Sequence, residues 1–135
     1  MLIFDGDCAF CTSSARWIEG SWREDAIAVA WQQIGAATLE RLGLTAEDCQ
    51  EAAWWVEPSG ELHKGQRAIG NALLAAGGWK KLAGRLILTR LVDPIAAVAY
   101  RVIAKYRHRL PGGTPACRIP NQVNPGDEGS RAPTL

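Results

Sequence analysis

Two cysteines, Cys8 and Cys11, have the type and spacing in this sequence that most clearly allow chemistry. The Cys-x-x-Cys spacing sets the two sulfurs one helical turn apart, so they can form a disulfide without movement of the backbone. A short apolar stretch at 2–4 precedes them, and a helix-compatible segment at 12–19 follows. Two thiols between a strand and the start of a helix predict reversible thiol–disulfide exchange.

The position of each thiol relative to the helix predicts its role. Cys8 is nearer the helix N-terminus, where unpaired N–H groups and the positive end of the helix dipole favour a thiolate. It is therefore predicted to be the exposed nucleophile. Cys11 is predicted to lean toward the core and to resolve the mixed disulfide by intramolecular attack.

Two carboxylates, Asp5 and Asp7, flank these thiols, and their negative charges would oppose thiolate formation. Asp7 is predicted to cap the helix. Two roles stay open for Asp5. It could accept the proton of Cys11 during resolution, directly or through water, or it could accept hydrogen bonds from the turn amides. The predicted site residues are therefore Asp5, Asp7, Cys8 and Cys11.

A zinc half-site is an alternative interpretation of the two thiols. Structural zinc needs a full set of ligands, usually as two close pairs, whereas the remaining cysteines and histidines are scattered singly. These residues are Cys49, His63, His108 and Cys117. Redox chemistry is favoured, and we expect no metal and no cofactor. Cys49 is interpreted as structural, and Cys117 as either a third redox thiol or a bystander.

A phosphatase of the haloacid dehalogenase type is an alternative from another reaction class, because an apolar strand followed by Asp-x-Asp also describes its site. Asp5 would then attack phosphorus, and Asp7 would protonate the leaving group beside Mg²⁺. Against this interpretation, the sequence has no clear later pair of acids for the metal.

The N-terminal motif Asp5-Gly6-Asp7-Cys8-Ala9-Phe10-Cys11, with residues 100–107 and Cys117, resembles the thiol-disulfide oxidoreductase DCC family. The resemblance covers roughly residues 2–117. It implies a small thioredoxin-like protein that exchanges dithiols and disulfides, with additional C-terminal helices. Lys105 and Tyr106 stand where the family pattern has a basic residue and Asn before the final arginine.

The elements predicted around the motif alternate between strands and helices. In chain order they are a strand at 2–4, a helix at 12–19, a strand at 27–31, a helix at 36–42, a short capped turn at 45–48, a β-hairpin at 53–63, and helices at 66–76, 79–91 and from 93 onward. This order predicts an α/β fold: a thioredoxin-like mixed four-stranded sheet with flanking helices and additional C-terminal helices.

The predicted core includes apolar residues that recur at helical spacing in the last two helices. They are Leu82, Leu86, Ile95, Val98, Val102 and Tyr106. Three tryptophans are also expected to pack inside: Trp17, Trp31 and one of the adjacent pair Trp54 and Trp55, which alternation places on opposite faces of their strand.

Length and composition predict one domain at 1–110 and a flexible tail at 111–135, rich in Pro and Gly. No signal peptide is evident, and no apolar run approaches the ~18 residues of a membrane span. We therefore expect a cytoplasmic protein without a membrane span. Its expected partner is a disulfide-containing protein or a low-molecular-weight thiol, and the sequence does not indicate an oligomeric state.

Charge is divided between the two halves of the sequence. Residues 1–61 carry eleven acidic and three basic side chains, and residues 62–118 carry eleven basic side chains and one acid, Asp93. The halves should attract each other, with the remaining basic groups on solvated helix faces. Alternatively, the basic half is an anion-facing surface, as in an interaction module with a redox switch. We expect no nucleic acid partner.

Overall fold

The computed structural model describes residues 1–22 and 26–109, in which four short strands form one sheet flanked by helices. The strands are β1 (Leu2–Phe4), β2 (Ala28–Ala30), β3 (Trp54–Val56) and β4 (Leu62–Lys64). The α-helices are α1 (Ala9–Glu19), α2 (Ala36–Leu42), α3 (Ala46–Glu51), α4 (Gln66–Ala75), α5 (Trp79–Ile87) and α6 (Asp93–Tyr106), and a 3₁₀ turn spans Trp31–Gln33.

The sheet has the strand order β2-β1-β3-β4. β1 pairs in parallel with β2, which α1 allows by crossing over one face, and β3 pairs antiparallel with both β1 and β4. β3 and β4 form the predicted hairpin. The predicted α/β fold with a thioredoxin-like mixed four-stranded sheet, flanking helices and additional C-terminal helices is confirmed.

Alternation along the strands divides the core between the two faces of the sheet. Leu2 and Phe4 of β1 pack with residues of α1 and α4, whereas Ile3 packs with residues of α2 and α3. The adjacent tryptophans divide in the same way: Trp55 is buried in the first cluster, and Trp54 packs against the second. Their predicted placement on opposite faces is confirmed.

The second strand differs from its prediction. Ile27 precedes the strand and is exposed, and Trp31 begins the 3₁₀ turn. The buried side chains of β2 are Ala28 and Ala30, which lie in the same cluster as Ala15 of α1. Small side chains on both elements let the helix lie close to the strand. Trp31 is partly buried and packs against the second core cluster.

Two helix ends also differ from the predictions. The capped turn at 45–48 continues as α3, and its capping box is present: Thr45 Oγ1 accepts the Asp48 N–H, and the Asp48 carboxylate accepts the Thr45 N–H. α5 ends at Ile87 instead of Leu91, and turns occupy the segment before α6.

The predicted burial of the last two helices is wrong for the residues named. Leu82 and Leu86 of α5 are exposed, and on α6 an outer stripe is 43–68% exposed. This outer stripe consists of Ile95, Val98, Val102 and Tyr106. The other side of α6 faces the protein with Ala96, Tyr100, Ala104 and Arg107. The period of the helix was predicted correctly, but the opposite face is turned inward.

Trp17 is also exposed, contrary to its predicted place in the core. Its ring lies against that of Trp79, with ring centroids 5.9 Å apart, and Lys80 Nζ lies 3.8 Å from the Trp17 ring centroid. These contacts explain how a large aromatic side chain is accommodated at the surface, because a cation and a second ring cover its faces.

Polar contacts attach α6 to the rest of the fold. The Tyr100 hydroxyl accepts a hydrogen bond from the Ala53 N–H at 2.9 Å, and burial raises the pKa of this tyrosine. At the start of the helix, Asp93 pairs with Arg67 at 2.9 Å and accepts a hydrogen bond from Gln66. These contacts fix the helix over β3 and α4 and bring its C-terminal end back to the Cys-x-x-Cys motif.

The predicted tail at 111–135, including Cys117, lies outside the described residues, and the domain boundary stays a prediction. Within the described ranges, no helix has the length and apolar character that a bilayer crossing requires.

Candidate functional site

The two motif cysteines form a disulfide at the N-terminus of α1, with Cα atoms 5.2 Å apart. The helix begins directly after Cys8, which is its N-cap. Cys8 Sγ accepts the backbone N–H of Cys11 at 3.1 Å, so the sulfur satisfies one of the free amides at the helix start. The sequence prediction of a bonded pair at the strand-to-helix turn is confirmed.

The exposure of the two sulfur-bearing residues is the reverse of the prediction. Cys8 is 0% exposed, whereas Cys11 is partly exposed and lines a cavity. The cap explains the difference, because Cys8 must turn its sulfur back over the helix end to reach the Cys11 amide. Cys11 lies in the first turn of α1, where it is partly exposed and borders the cavity.

The two carboxylates have different surroundings. Asp7 was predicted to cap α1, and this is wrong, because Cys8 occupies the cap position and Asp7 is exposed. Asp5 is buried at 6% exposure, and its Oδ1 accepts the Asp7 N–H at 3.1 Å. This is the turn-amide contact considered for Asp5. Its role as a proton acceptor stays a prediction.

Gln32 donates hydrogen bonds to both carboxylates, although it lies outside the Cys-x-x-Cys motif and is not among the predicted site residues. Its Nε2 donates to Asp5 Oδ1 at 3.0 Å and to Asp7 Oδ2 at 3.1 Å, and its Oε1 accepts the Gly6 N–H at 3.0 Å. One side chain therefore spans the loop between β1 and α1. A usable signal existed, since Gln32 follows β2 and the carboxyl ends of neighbouring parallel strands meet at one edge of a sheet.

Gly6 is needed for close approach and not for an unusual backbone angle, since its φ is not positive. A Cβ at this position would lie 2.8 Å from Gln32 Oε1 and 2.9 Å from Ala30 Cβ. Only a residue without a side chain at position 6 therefore lets the loop lie against β2 and form its hydrogen bonds with Gln32.

Arg107 completes the site from the opposite end of the described chain. Its side chain is 13% exposed, and Nη2 lies 3.6 Å from Asp5 Oδ2 and donates to the backbone carbonyl of Gln50. Its Nε is buried and has no partner among the described residues. This contact joins the acidic and basic halves of the sequence, as their opposite charges predicted. Arg107 is the final arginine of the C-terminal segment that carries the family resemblance.

A largely apolar cavity of about 460 Å³ lies beside the disulfide, between α1, α4, α5 and α6. Cys11 lies in its wall, and Arg107 lines it from α6. Further apolar and aromatic side chains around it include Phe10, Trp17, Ile69, Tyr100 and Ile103. Its volume is within the usual range for small-molecule sites, about 300–1,000 Å³.

Among the described residues, the other candidate ligands and nucleophiles do not join this site. Cys49 is fully buried, and burial raises the pKa of its thiol, so it is protonated at neutral pH. His63 of β4 lies 3.8 Å from carboxylate oxygens of Glu57 and Glu61, and His108 is exposed. Among residues 1–22 and 26–109, no cluster of three His, Cys, Asp or Glu side chains is suited to a metal ion.

Comparison with protein families gives a match to a model described as DCC1-like thiol-disulfide oxidoreductase, over residues 2–113. Neither the curated proteins nor the solved structures gave a match to this chain.

Replacement of Gln32 by Glu should destabilise the loop. The new carboxylate would face Asp5 and Asp7 and could no longer donate to them, so we expect the free energy of unfolding to fall by about 2 kcal/mol. Gln33→Glu is the matched control, because Gln33 is exposed like Gln32 in the same 3₁₀ turn but does not donate to Asp5 or Asp7, so its replacement should change stability by less than about 0.5 kcal/mol. Urea unfolding measures both, and equal midpoints for the two variants would refute the stabilising role of the Gln32 hydrogen bonds.

Proposed function

The chain belongs to the DCC1-like thiol-disulfide oxidoreductase family, and on that premise we propose that Cys8 and Cys11 cycle between disulfide and dithiol by exchange with a partner. The observation that carries the proposal is their disulfide at the start of α1, with Cys11 open to a cavity. The proposed partner is a disulfide-containing protein or a low-molecular-weight thiol, and the proposed location is the cytoplasm.

The burial of the two cysteines supports an order for the exchange. A partner thiolate can reach Cys11 from the cavity, whereas Cys8 is buried. Attack on Cys11 Sγ forms a mixed disulfide, breaks the Cys8–Cys11 bond and leaves the electron pair on Cys8. A second partner thiolate then attacks the partner sulfur and releases Cys11, so two partner thiols become one disulfide.

The reverse sequence reduces a partner disulfide. Cys11 attacks the partner, and Cys8 then attacks Cys11 Sγ and expels the remaining partner thiol. This order exchanges the roles predicted from the sequence, because that prediction assumed an exposed Cys8.

The surroundings of Cys8 support it as the stabilised thiolate. Its sulfur already accepts the Cys11 N–H at 3.1 Å, and α1 has no acidic residue in its first turn to oppose the helix dipole. The negative charge of Asp5 is balanced by Arg107 and by the Gln32 amide. The loop can therefore carry two carboxylates beside a thiolate.

The contacts of Asp5 support a positioning role, because it holds the loop amide, Gln32 and Arg107 together. Transfer of the Cys11 proton to Asp5 is a second proposed role. The positioning role and the proton-acceptor role predict different dependences of the exchange rate on pH. No observation favours the Asp-x-Asp phosphatase, since the Asp5 carboxylate is buried among these partners instead of open to a phosphate.

The cavity supports a preference among disulfide substrates. A partner bonded to Cys11 Sγ would place its neighbouring group against apolar and aromatic side chains, and Arg107 is engaged by Asp5 and Gln50. Burial of apolar surface would favour a substrate with an aliphatic or aromatic group next to its disulfide. A small hydrophilic disulfide would bury little apolar surface against the cavity wall and would gain no affinity from it.

Single-cysteine variants test the order of exchange. Treatment of Cys8→Ser with an aromatic disulfide reagent should give a mixed disulfide at Cys11 roughly tenfold faster than Cys11→Ser gives one at Cys8, because only Cys11 is accessible. Intact-mass spectrometry measures both rates. The double variant reports the background from Cys49 and Cys117, and faster capture by Cys8 would restore the roles predicted from the sequence.

The Asp5→Asn variant tests the proton-acceptor role of Asp5. If Asp5 accepts the Cys11 proton, exchange should slow by roughly tenfold at neutral pH and recover as the pH rises, because solvent base then removes the proton. Asp93→Asn is the control, since it removes another ion pair of α6, with Arg67. A rate that falls equally at every pH would leave Asp5 only its positioning role.

A cavity-filling variant tests the substrate preference. Ala99 lines the cavity, whereas Val98 lies on the outer stripe of the same helix. Ala99→Phe should lower kcat/KM for a peptide disulfide with Phe beside its cysteine by roughly tenfold, yet change that for hydroxyethyl disulfide by less than about twofold. Val98→Phe should change neither rate. Equal losses on both substrates would show that the cavity wall does not select the substrate.

A further inference from the structure

The outer stripe of α6 is an apolar surface without a partner among the described residues. Ile95, Val98, Val102 and Tyr106 follow the spacing i, i+3, i+7 and i+11, which places them on one side of the helix. All four are exposed, and Leu91 just before the helix is 85% exposed. Single exposed apolar residues are ordinary, but a continuous exposed stripe indicates an interaction surface.

α5 repeats this pattern. Trp79, Leu82 and Leu86 follow the spacing i, i+3 and i+7 and are exposed. The opposite side of this helix is fixed by close packing, because a Cβ on Gly84 would lie 2.6 Å from the Gly70 carbonyl oxygen of α4. The helix cannot rotate to bury its apolar stripe without losing that contact. Both C-terminal helices therefore present apolar residues to the outside.

Positive charge surrounds these residues. Residues 62–109 carry ten Lys and Arg side chains and one acid, Asp93. Seven of these cations form no ion pair with any described residue: Lys80, Lys81, Arg85, Arg90, Arg101, Lys105 and Arg109. On α6, helical spacing sets Arg101 and Lys105 along one edge of the outer stripe, and Lys105 Nζ lies 5.6 Å from the Tyr106 ring centroid.

We propose that α6 docks its outer stripe on an anionic membrane surface, with the apolar side chains in the interface and the neighbouring basic side chains, Arg101 and Lys105, at lipid phosphates. Apolar residues bordered by Lys and Arg on a helix are the pattern of interfacial helices. Each basic residue near such a surface adds to the attraction. The protein would lie on the bilayer, since no described helix is suited to span one.

The positive charge beside the outer stripe also argues against a second copy of the chain, and the apolar side chains argue against a nucleic acid, as the partner of this surface. Pairing of two copies through the outer stripe would bring Arg101 and Lys105 of each copy near those of the other, with no acid beside them. A nucleic acid would engage the cations but would leave the aliphatic side chains of the stripe in contact with charged phosphates. An acidic bilayer satisfies both kinds of side chain, because its acyl chains accept the stripe and its headgroups pair with the cations.

Vesicle binding by the full chain tests the proposal. We expect binding to phosphatidylcholine vesicles that contain about one third phosphatidylglycerol to be at least roughly tenfold tighter than to phosphatidylcholine alone, and to weaken with salt. The charge variant Arg101→Gln with Lys105→Gln and the apolar variant Val98→Ser with Val102→Ser should each lose roughly tenfold. Arg16→Gln with Arg41→Gln removes two cations from the other half and should change binding by less than about twofold.

Absence of binding to the anionic vesicles would overturn the proposal, and so would equal binding to neutral vesicles. Sedimentation of the full chain without lipid distinguishes the alternatives. A dimer that Val98→Ser with Val102→Ser dissociates, together with no vesicle binding, would assign the stripe to a second copy. Binding to polyglutamate but not to vesicles would assign the face to an acidic protein. Circular dichroism of each variant confirms that a lost affinity does not reflect unfolding.

Discussion

A buried carboxylate at the end of β1 is the constraint on which the site and the C-terminal half both depend. An ionised group removed from water is costly unless donors and opposite charge surround it. Asp5 obtains them from the Asp7 amide, from Gln32 beyond β2 and from Arg107 beyond α6. Because Asp5 needs these partners, the loop between β1 and α1, the turn after β2 and the end of α6 all meet at one edge of the sheet.

The position of α6 follows from this constraint and explains why burial was harder to predict than secondary structure. Apolar periodicity indicates a helix at residues 93–106, but it does not indicate which side of the helix faces the core. The inner side carries Tyr100 and Arg107, whose hydrogen bonds and charge have partners on Ala53, Gln50 and Asp5, and small alanines let the helix approach. With that side turned inward, Ile95, Val98 and Val102 lie on the outer side of the helix and are exposed.

The part of the candidate site formed by residues close in sequence could be predicted, whereas the part formed by residues distant in sequence could not. The spacing of Cys8 and Cys11 is enough to predict their disulfide, because the geometry involves one helical turn. The cap was mistaken because a carboxylate is the commoner N-cap, and here the Cys8 sulfur takes that position and turns away from solvent. Gln32 and Arg107 reach the loop through the sheet order and the course of α6, which no short motif encodes.

The ion pair between Asp5 and Arg107 also links the loop between β1 and α1 to the cavity. No residue of α6 is fully buried, so hydrophobic burial contributes less to its position than it does for the strands. Its polar contacts, among them the one between Arg107 and Asp5, must supply a larger share. Since α6 forms one wall of the cavity beside Cys11, the carboxylate that fixes the loop also fixes one wall of that cavity. Loss of the pair between Asp5 and Arg107 would therefore affect both the loop and this wall of the cavity.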